Sequence, residues 1–347
     1  MDTLQKLSIR KYLNKNSTAY KLFILGFLLV LMIILIYVSL SEGSSNIKVS
    51  EIIQTIFYGE DLGAASQIIN YVRIPRTVSA ILAGCGLAVS GLILQSVLNN
   101  ALASPTIIGV NSGAGLFTAL AIAFFPANIN IMPIAAFSGA FLATLIVYIV
   151  ARKTGASRST IVLAGIAISS LIGAMTDTIL ILFPDTIIDR TSFVIGGLSG
   201  VTMDKLKMPG VIIVVSLILA FIFSYDLNVL SLGDNTSKSL GLNVNVCRFI
   251  FIILSSLLSG SVISFAGLLG FIGLIVPHIC RIIVGYDNRI LMPTCALLGS
   301  SFALFCDILA RTLFAPYEVP VGIIMSFLGS PFFIYLLLNH RRRLRND

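Results

Sequence analysis

The chain has 347 residues, of which 57% are hydrophobic and only 11% charged, with a mean hydropathy of +1.00. A soluble globule carries about a quarter charged residues, so this composition excludes an ordinary soluble domain and points to an all-α, polytopic membrane protein. The net charge of +8 reads as basic cytoplasmic loops rather than a nucleic-acid surface, and five scattered cysteines without a C-x-x-C pair indicate neither a disulfide framework nor a zinc site.

A transmembrane helix needs roughly 20 apolar residues, and about ten such runs follow one another. The first, 22–40, comes after a segment bearing Lys6, Arg10, Lys11, Lys15 and Lys21. It is too long for a signal peptide, and no A-x-A-like site follows, so a retained span is expected. Residues 41–72 are polar, with a short amphipathic stretch, "VSEIIQTIFYG". Span two, 77–97, opens on "RIPR" and is followed by the loop "NNALASP". Spans three and four cover 106–125 and 131–151, and the basic loop "ARKTGASRS" leads into span five, 160–183. Residues 184–207 are mixed, span six is 209–225, and a polar segment occupies 226–246. Spans seven to ten are 248–267, 269–285, 291–313 and 319–338, before the tail "NHRRRLRND".

With the N-terminus inside, cytoplasmic segments hold sixteen Lys and Arg against seven outside. The positive-inside rule therefore expects both termini in the cytoplasm. The chain divides into an N-terminal tail (1–21), a ten-helix membrane domain (22–338) and a basic tail (339–347). Arg73 and Arg76 fall outside, against the prevailing bias. Glycines within the spans, such as Gly84, Gly86 and Gly91, read as sites of close helix packing.

Absent motifs narrow the chemistry. No G-x-x-x-x-G-K-[ST] phosphate loop occurs, so the chain is not expected to hydrolyse ATP. The two histidines, His278 and His340, are far apart, and no H-E-x-x-H or G-x-S-x-G appears. Two carboxylates fall inside spans, Asp177 and Asp307, and an intramembrane ionisable group is a functional candidate by default. Asp307 and Arg311 stand four apart, which suits a structural pair; a proton relay is the alternative.

The segment "DLNVLSLGDNTSKSLGLNVNV" places Gly233 and Gly241 around a possible short helix, with Asp234 at its N-terminal end. Such a helix suits docking against a partner, and a solvated connector fits equally well. In "GLLGFIGLIVPHICRIIVGYDNR", Pro277 leaves a backbone carbonyl without its usual donor, and the adjacent His278 is a candidate to supply one.

Together and in this order, "RIPR", "LNVLSLGDNTSKSLG", "GFIGLIVPHICR" and "EVPVGIIMSFLGSPFFIYLL" resemble the FecCD family, from about residue 50 to the end. These are permease subunits of binding-protein-dependent ABC importers for iron–siderophores, haem and cobalamin. The resemblance implies a second permease subunit, identical or related, two cytoplasmic ATPases carrying ATP and Mg, and an extracytoplasmic binding protein. It implies no cofactor or metal on this chain and a multi-pass location in the cytoplasmic membrane. By the same resemblance Arg73, Arg76 and Arg311 form an external basic pocket for acidic residues of the binding protein. The stretch with Leu232, Gly233, Asp234, Ser237, Leu240 and Gly241 matches the coupling helix that docks on the ATPase. The cytoplasmic gate falls on Asn100, Ala101 and Leu102 with Ser157, Arg158 and Ser159. Two departures stand out: "NNALASP" replaces the usual R-N-P-L-A-D-P, and "FVIGGLSG" lacks the tryptophan often found there.

Overall fold

The computed structural model describes residues 17–42, 49–58, 63–126, 128, 131–153 and 157–343, and all regular structure among them is helical. The principal helices are α1 (Thr18–Ser41), α2 (Ile74–Val97), α3 (Val110–Phe124), α4 (Ile131–Lys153), α5 (Arg158–Leu182), α6 (Thr186–Ile195), α7 (Met203–Ile222), α8 (Ser224–Ser231), α9 (Asp234–Ser239), α10 (Val244–Ala266), α11 (Ile272–Val284), α12 (Asn288–Thr312) and α13 (Val321–Arg343). Short helical pieces over Val49–Ile53 and Ala64–Ile68, each followed by a wider π-type turn, lead into α2. Most of the expected tail 1–21 lies outside the described residues, and α1 already begins at Thr18, capped by the Ser17 hydroxyl. The expected tail from 339 continues α13 as far as Arg343.

Seven of the described helices are long and apolar enough to cross a membrane, and further apolar helices occupy expected spans three, eight and ten. Local chemistry shortens those of spans three and eight. The third begins only at Val110, because Pro105–Ile108 forms a 3-10 turn ended by Gly109 at φ 82°. The eighth begins at Ile272, after an irregular stretch in which Phe271 has φ 66°. Expected span six stops at Ile222, and the chain turns into α8. The mixed segment 184–207 contains α6, which its composition did not announce.

Helix α2 is the centre of the bundle, with α10, α11 and α12 packed around it and nearly every residue from Ala83 to Val97 buried. Glycine makes this possible. A Cβ on Gly84 would overlap the Gly299 carbonyl of α12, and one on Gly91 would overlap Gly273 of α11. Gly113 and Gly139 bring α3 and α4 together in the same way. Small residues let backbones approach where lipid supplies no hydrophobic drive between helices. By contrast α1 buries only Leu28 and Ser39 and turns bulky aliphatics outward, as a lipid-facing helix does.

Pro277 leaves the Gly273 carbonyl of α11 without its helical donor. Gln95 of α2 supplies one: its Nε2 donates to the carbonyls of Gly273 at 3.2 Å and Leu274 at 3.3 Å. Its Oε1 accepts from Arg281 Nη1. A donor at the proline is thus a side chain 178 positions away in the chain.

Candidate functional site

Two polar clusters lie at opposite ends of α2. The first is where α2 begins. Arg76, one residue after Pro75 in the opening turn, directs Nε at Asp307 Oδ1 (2.9 Å) and Oδ2 (3.2 Å) of α12. Its Nη1 donates to Glu318 Oε2 at 2.8 Å. Arg311, one turn beyond Asp307, reaches Asp307 Oδ2 at 3.2 Å. It also donates to the carbonyls of Ser39 (3.3 Å) and Glu42 (3.1 Å) and to the Ser39 hydroxyl (3.1 Å). Arg73 Nη1 donates to the carbonyls of Leu40 at 2.6 Å and Ser41 at 2.7 Å.

The three arginines lie in one region, and none of them forms an open basic surface. Arg73, Arg76 and Arg311 are 3%, 7% and 8% exposed, and Asp307 is fully buried. Away from water an unpaired guanidinium is costly, so each is met by carboxylates or carbonyls. Arg73 and Arg311 occupy the last carbonyls of α1, where cations satisfy orphan acceptors and complement the helix dipole. Asp307 serves two arginines, which agrees with the structural-pair reading and extends it to Arg76. Glu318, its side chain 39% exposed, is the member of this network open to solvent.

The second cluster is where α2 ends. Asn99 takes φ 47°, and Asn100 Oδ1 accepts from the Leu102 amide at 2.9 Å, closing a tight turn. Across from it Ser157 caps α5 by accepting from the Thr160 amide at 3.1 Å. A cavity of about 750 Å³ lies between, lined by Leu98, Asn100, Arg158, Ser159, Val162 and Asp234, among others. Three gate candidates and the carboxylate of the candidate coupling helix thus share one cavity. Ala101, Leu102 and Ser157 flank it in sequence without lining it.

The expected short helix exists as α9, bracketed by Gly233 at φ 108° and Gly241 at φ 84°, left-handed positions that suit glycine. Ser237 is buried and donates to the carbonyls of Val229 and Gly233, both at 2.7 Å, tying α9 to α8. Leu232 and Leu240 stand at its two ends, 61% and 62% exposed. Asp234 is held by Arg248 Nη2 at 2.7 and 2.8 Å, and Arg158 Nε stands 3.5 Å away. Desolvation pushes the Asp234 carboxyl up, but the hydrogen bonds and charge of Arg248, aided by Arg158, outweigh it. The net shift is below the ordinary value of 3.8.

The sequence reading missed Arg248, Gln95 and Glu318. Spacing carries no signal for them, since Arg248 meets Asp234 across a turn and the other two find partners more than 170 positions away. It also missed Asn228, whose Oδ1 accepts from the Asn288 amide (2.8 Å) and whose Nδ2 donates to Asp287 (2.8 Å), pinning α8 to the start of α12. Among the described residues no group of three or more His, Cys, Asp and Glu side chains is arranged to hold a metal. Asp177 is exposed on α5, on one face with Ser170 and Ala174.

The structure is thus an all-helical, polytopic bundle with paired charges at both ends of its central helix. Residues 31–339 match the FecCD transport family, and the chain belongs to that family. It is 35% identical over 323 residues to the Fe(3+)-citrate import system permease protein YfmD of Bacillus subtilis (strain 168), covering 93% of this chain and 96% of that one. It is also 35% identical over 325 residues to the hemin transport system permease protein HmuU of Yersinia pestis, covering 92% and 96%. A solved structure, described as an inward-facing conformation of a metal-chelate type ABC transporter, superposes with a TM-score of 0.82 at 28% identity, covering 91% and 99%. The chain is a multi-pass membrane permease of an ABC importer for iron chelates, haem or cobalamin, and not itself the catalytic subunit.

Proposed function

We propose that this chain moves an iron–siderophore complex inward across the cytoplasmic membrane, by alternating access between two permease subunits. The observation that carries this reading is α9: a short helix tied to α8, with exposed leucines at both ends and its carboxylate on the cavity between the gate loops. Exposed apolar side chains flanking a helix built into the bundle suit a groove on a partner. In this reading α9 docks on a separate ATPase carrying ATP and Mg, both chain termini are cytoplasmic, and the arginine cluster faces outward. The exposed face of α5 supports a second permease subunit across from it, because Asp177 facing lipid would be costly. A further cavity of about 650 Å³, lined by Asn111, Leu269, Gly322, Ser326 and Phe327 among others, has no charged side chain in its wall and suits the passage of a bulky chelate.

The arginines shape the docking proposal. With Arg73 and Arg311 engaged on α1, the group available to an acidic carrier protein is Arg76, reached by displacing Glu318. Haem is the second reading for the cargo, favoured by the equally similar hemin permease; cobalamin is the third. A proton-coupled transporter is disfavoured because Asp307 is committed to Arg76 and Arg311. Reconstitution with the ATPase and carrier in liposomes, scoring uptake of radioactive ferric siderophore, haem and cobalamin with and without ATP, tests these readings. Uptake that ignores ATP and stops with a protonophore would reverse the order.

A further inference from the structure

Arg158 occupies a position that its own helix does not favour. It is the first residue of α5, where the positive end of the helix dipole repels a cation. An excess of positive charge on one side of the membrane would explain a solvated lysine there equally well. Instead the guanidinium turns inward. Its Nη2 donates to the Leu230 carbonyl of α8 at 2.9 Å, and its Nε stands 3.5 Å from Asp234 Oδ1. That Nε is buried and makes no hydrogen bond. The same carboxylate is tightly held by Arg248 at the start of α10. Asp234 is therefore fixed firmly to α10 and slackly to α5.

We propose that Arg158 is the positioning residue that carries displacement of α9 into α5, and so sets the width of the cavity between the gate loops. The proposal rests on the reading that α9 docks the ATPases. An approach of about half an ångström turns the 3.5 Å contact into a charge-assisted hydrogen bond that satisfies the idle Nε. Ser159 and Val162, in the same opening turns of α5, line the cavity opposite Leu98 and Asn100. When α8 and α9 move, the hook on Leu230 and Asp234 draws these residues with them, and the cavity opens or closes. Arg248 anchors; Arg158 transmits.

The test uses the full importer in liposomes, with spin labels at Ile166 of α5 and Ser239 of α9. In the otherwise unaltered complex the distance between labels is expected to stay constant through the nucleotide cycle. In Arg158→Gln that distance should change with nucleotide, ATP hydrolysis should persist, and uptake should fall about tenfold. Arg158→Lys, which keeps the charge but not the fork, should restore part of the uptake. Arg158→Gln with normal uptake and a constant distance would overturn the proposal. So would loss of ATPase assembly in both variants, which marks a purely structural role. If the unaltered complex itself shows no ATP-driven uptake, the importer reading fails first, and that outcome is visible before any variant is made.

Discussion

Arg76 and Asp307, 231 positions apart in the chain, meet in a buried ion pair with Nε and Oδ1 2.9 Å apart. The pair joins the first turn of the central helix to α12, and Arg311 closes it from the other side of the same carboxylate. Removing the shared anion would leave two buried cations facing each other. Breaking a buried pair typically costs about 3–5 kcal/mol. Asp307→Asn is thus expected to lower the midpoint of thermal unfolding in detergent markedly and to reduce the folded yield. A variant that unfolds like the parent and loses only proton-driven uptake would instead make Asp307 a relay.

Glu318 tests the proposal that the arginine cluster docks an acidic carrier. It is solvent-accessible and holds Arg76 Nη1 at 2.8 Å, in the place an acidic carrier would take. Glu318→Gln should tighten carrier binding, because the carrier no longer displaces a charged competitor, and the gain should shrink at high salt as screening rises. Glu318→Lys should weaken it. Binding titrations at two ionic strengths read both, and unchanged affinity in both variants would remove the arginine cluster from docking.

The glycine contacts give a sharper packing prediction. Gly91→Ala inserts a methyl into the Gly273 backbone, where neither helix has a flexible side chain to yield. Overpacking of this kind costs about 1–3 kcal/mol. Gly26→Ala, with open space around the α1 glycine, should be neutral. Comparing the two by thermal unfolding separates steric overlap from a general effect of losing glycine.

Much of this architecture is legible in the sequence because lipid imposes length and composition on each span. The runs at 22–40, 131–151 and 291–313 each coincide with a helix to within a few residues at either end. The short helix between Gly233 and Gly241 was legible for a related reason, since paired glycines in a polar segment mark both of its ends. What escaped was everything set by the third dimension. Gln95 looks like an isolated polar residue in span two until Pro277 of another helix presents it with a free carbonyl. The arginines of "RIPR" were placed outside, and the resemblance made them part of a basic docking pocket; acceptors for them lie on α1, α12 and the segment after it. Family resemblance marked these positions as important without revealing that the chain itself had already engaged them.

Asp234 carries the pH dependence that this geometry predicts. Its carboxyl lies below 3.8 in the folded chain, because Arg248 and Arg158 outweigh the effect of burial. A depressed carboxylate contributes its stabilisation above the unfolded value and loses it as pH falls through the folded one. The tether between α9 and α10 should therefore hold unchanged from pH 8 to pH 5 and fail only in acid below 3.8. A fluorophore at Ser239, exposed on α9, should report no movement across the upper range and a release step in acid. Asp234→Asn lacks the titrating group and should show a loosened α9 at every pH with no acid step. A release step between pH 5 and 8 in the parent would mean that some other group holds α9 in place.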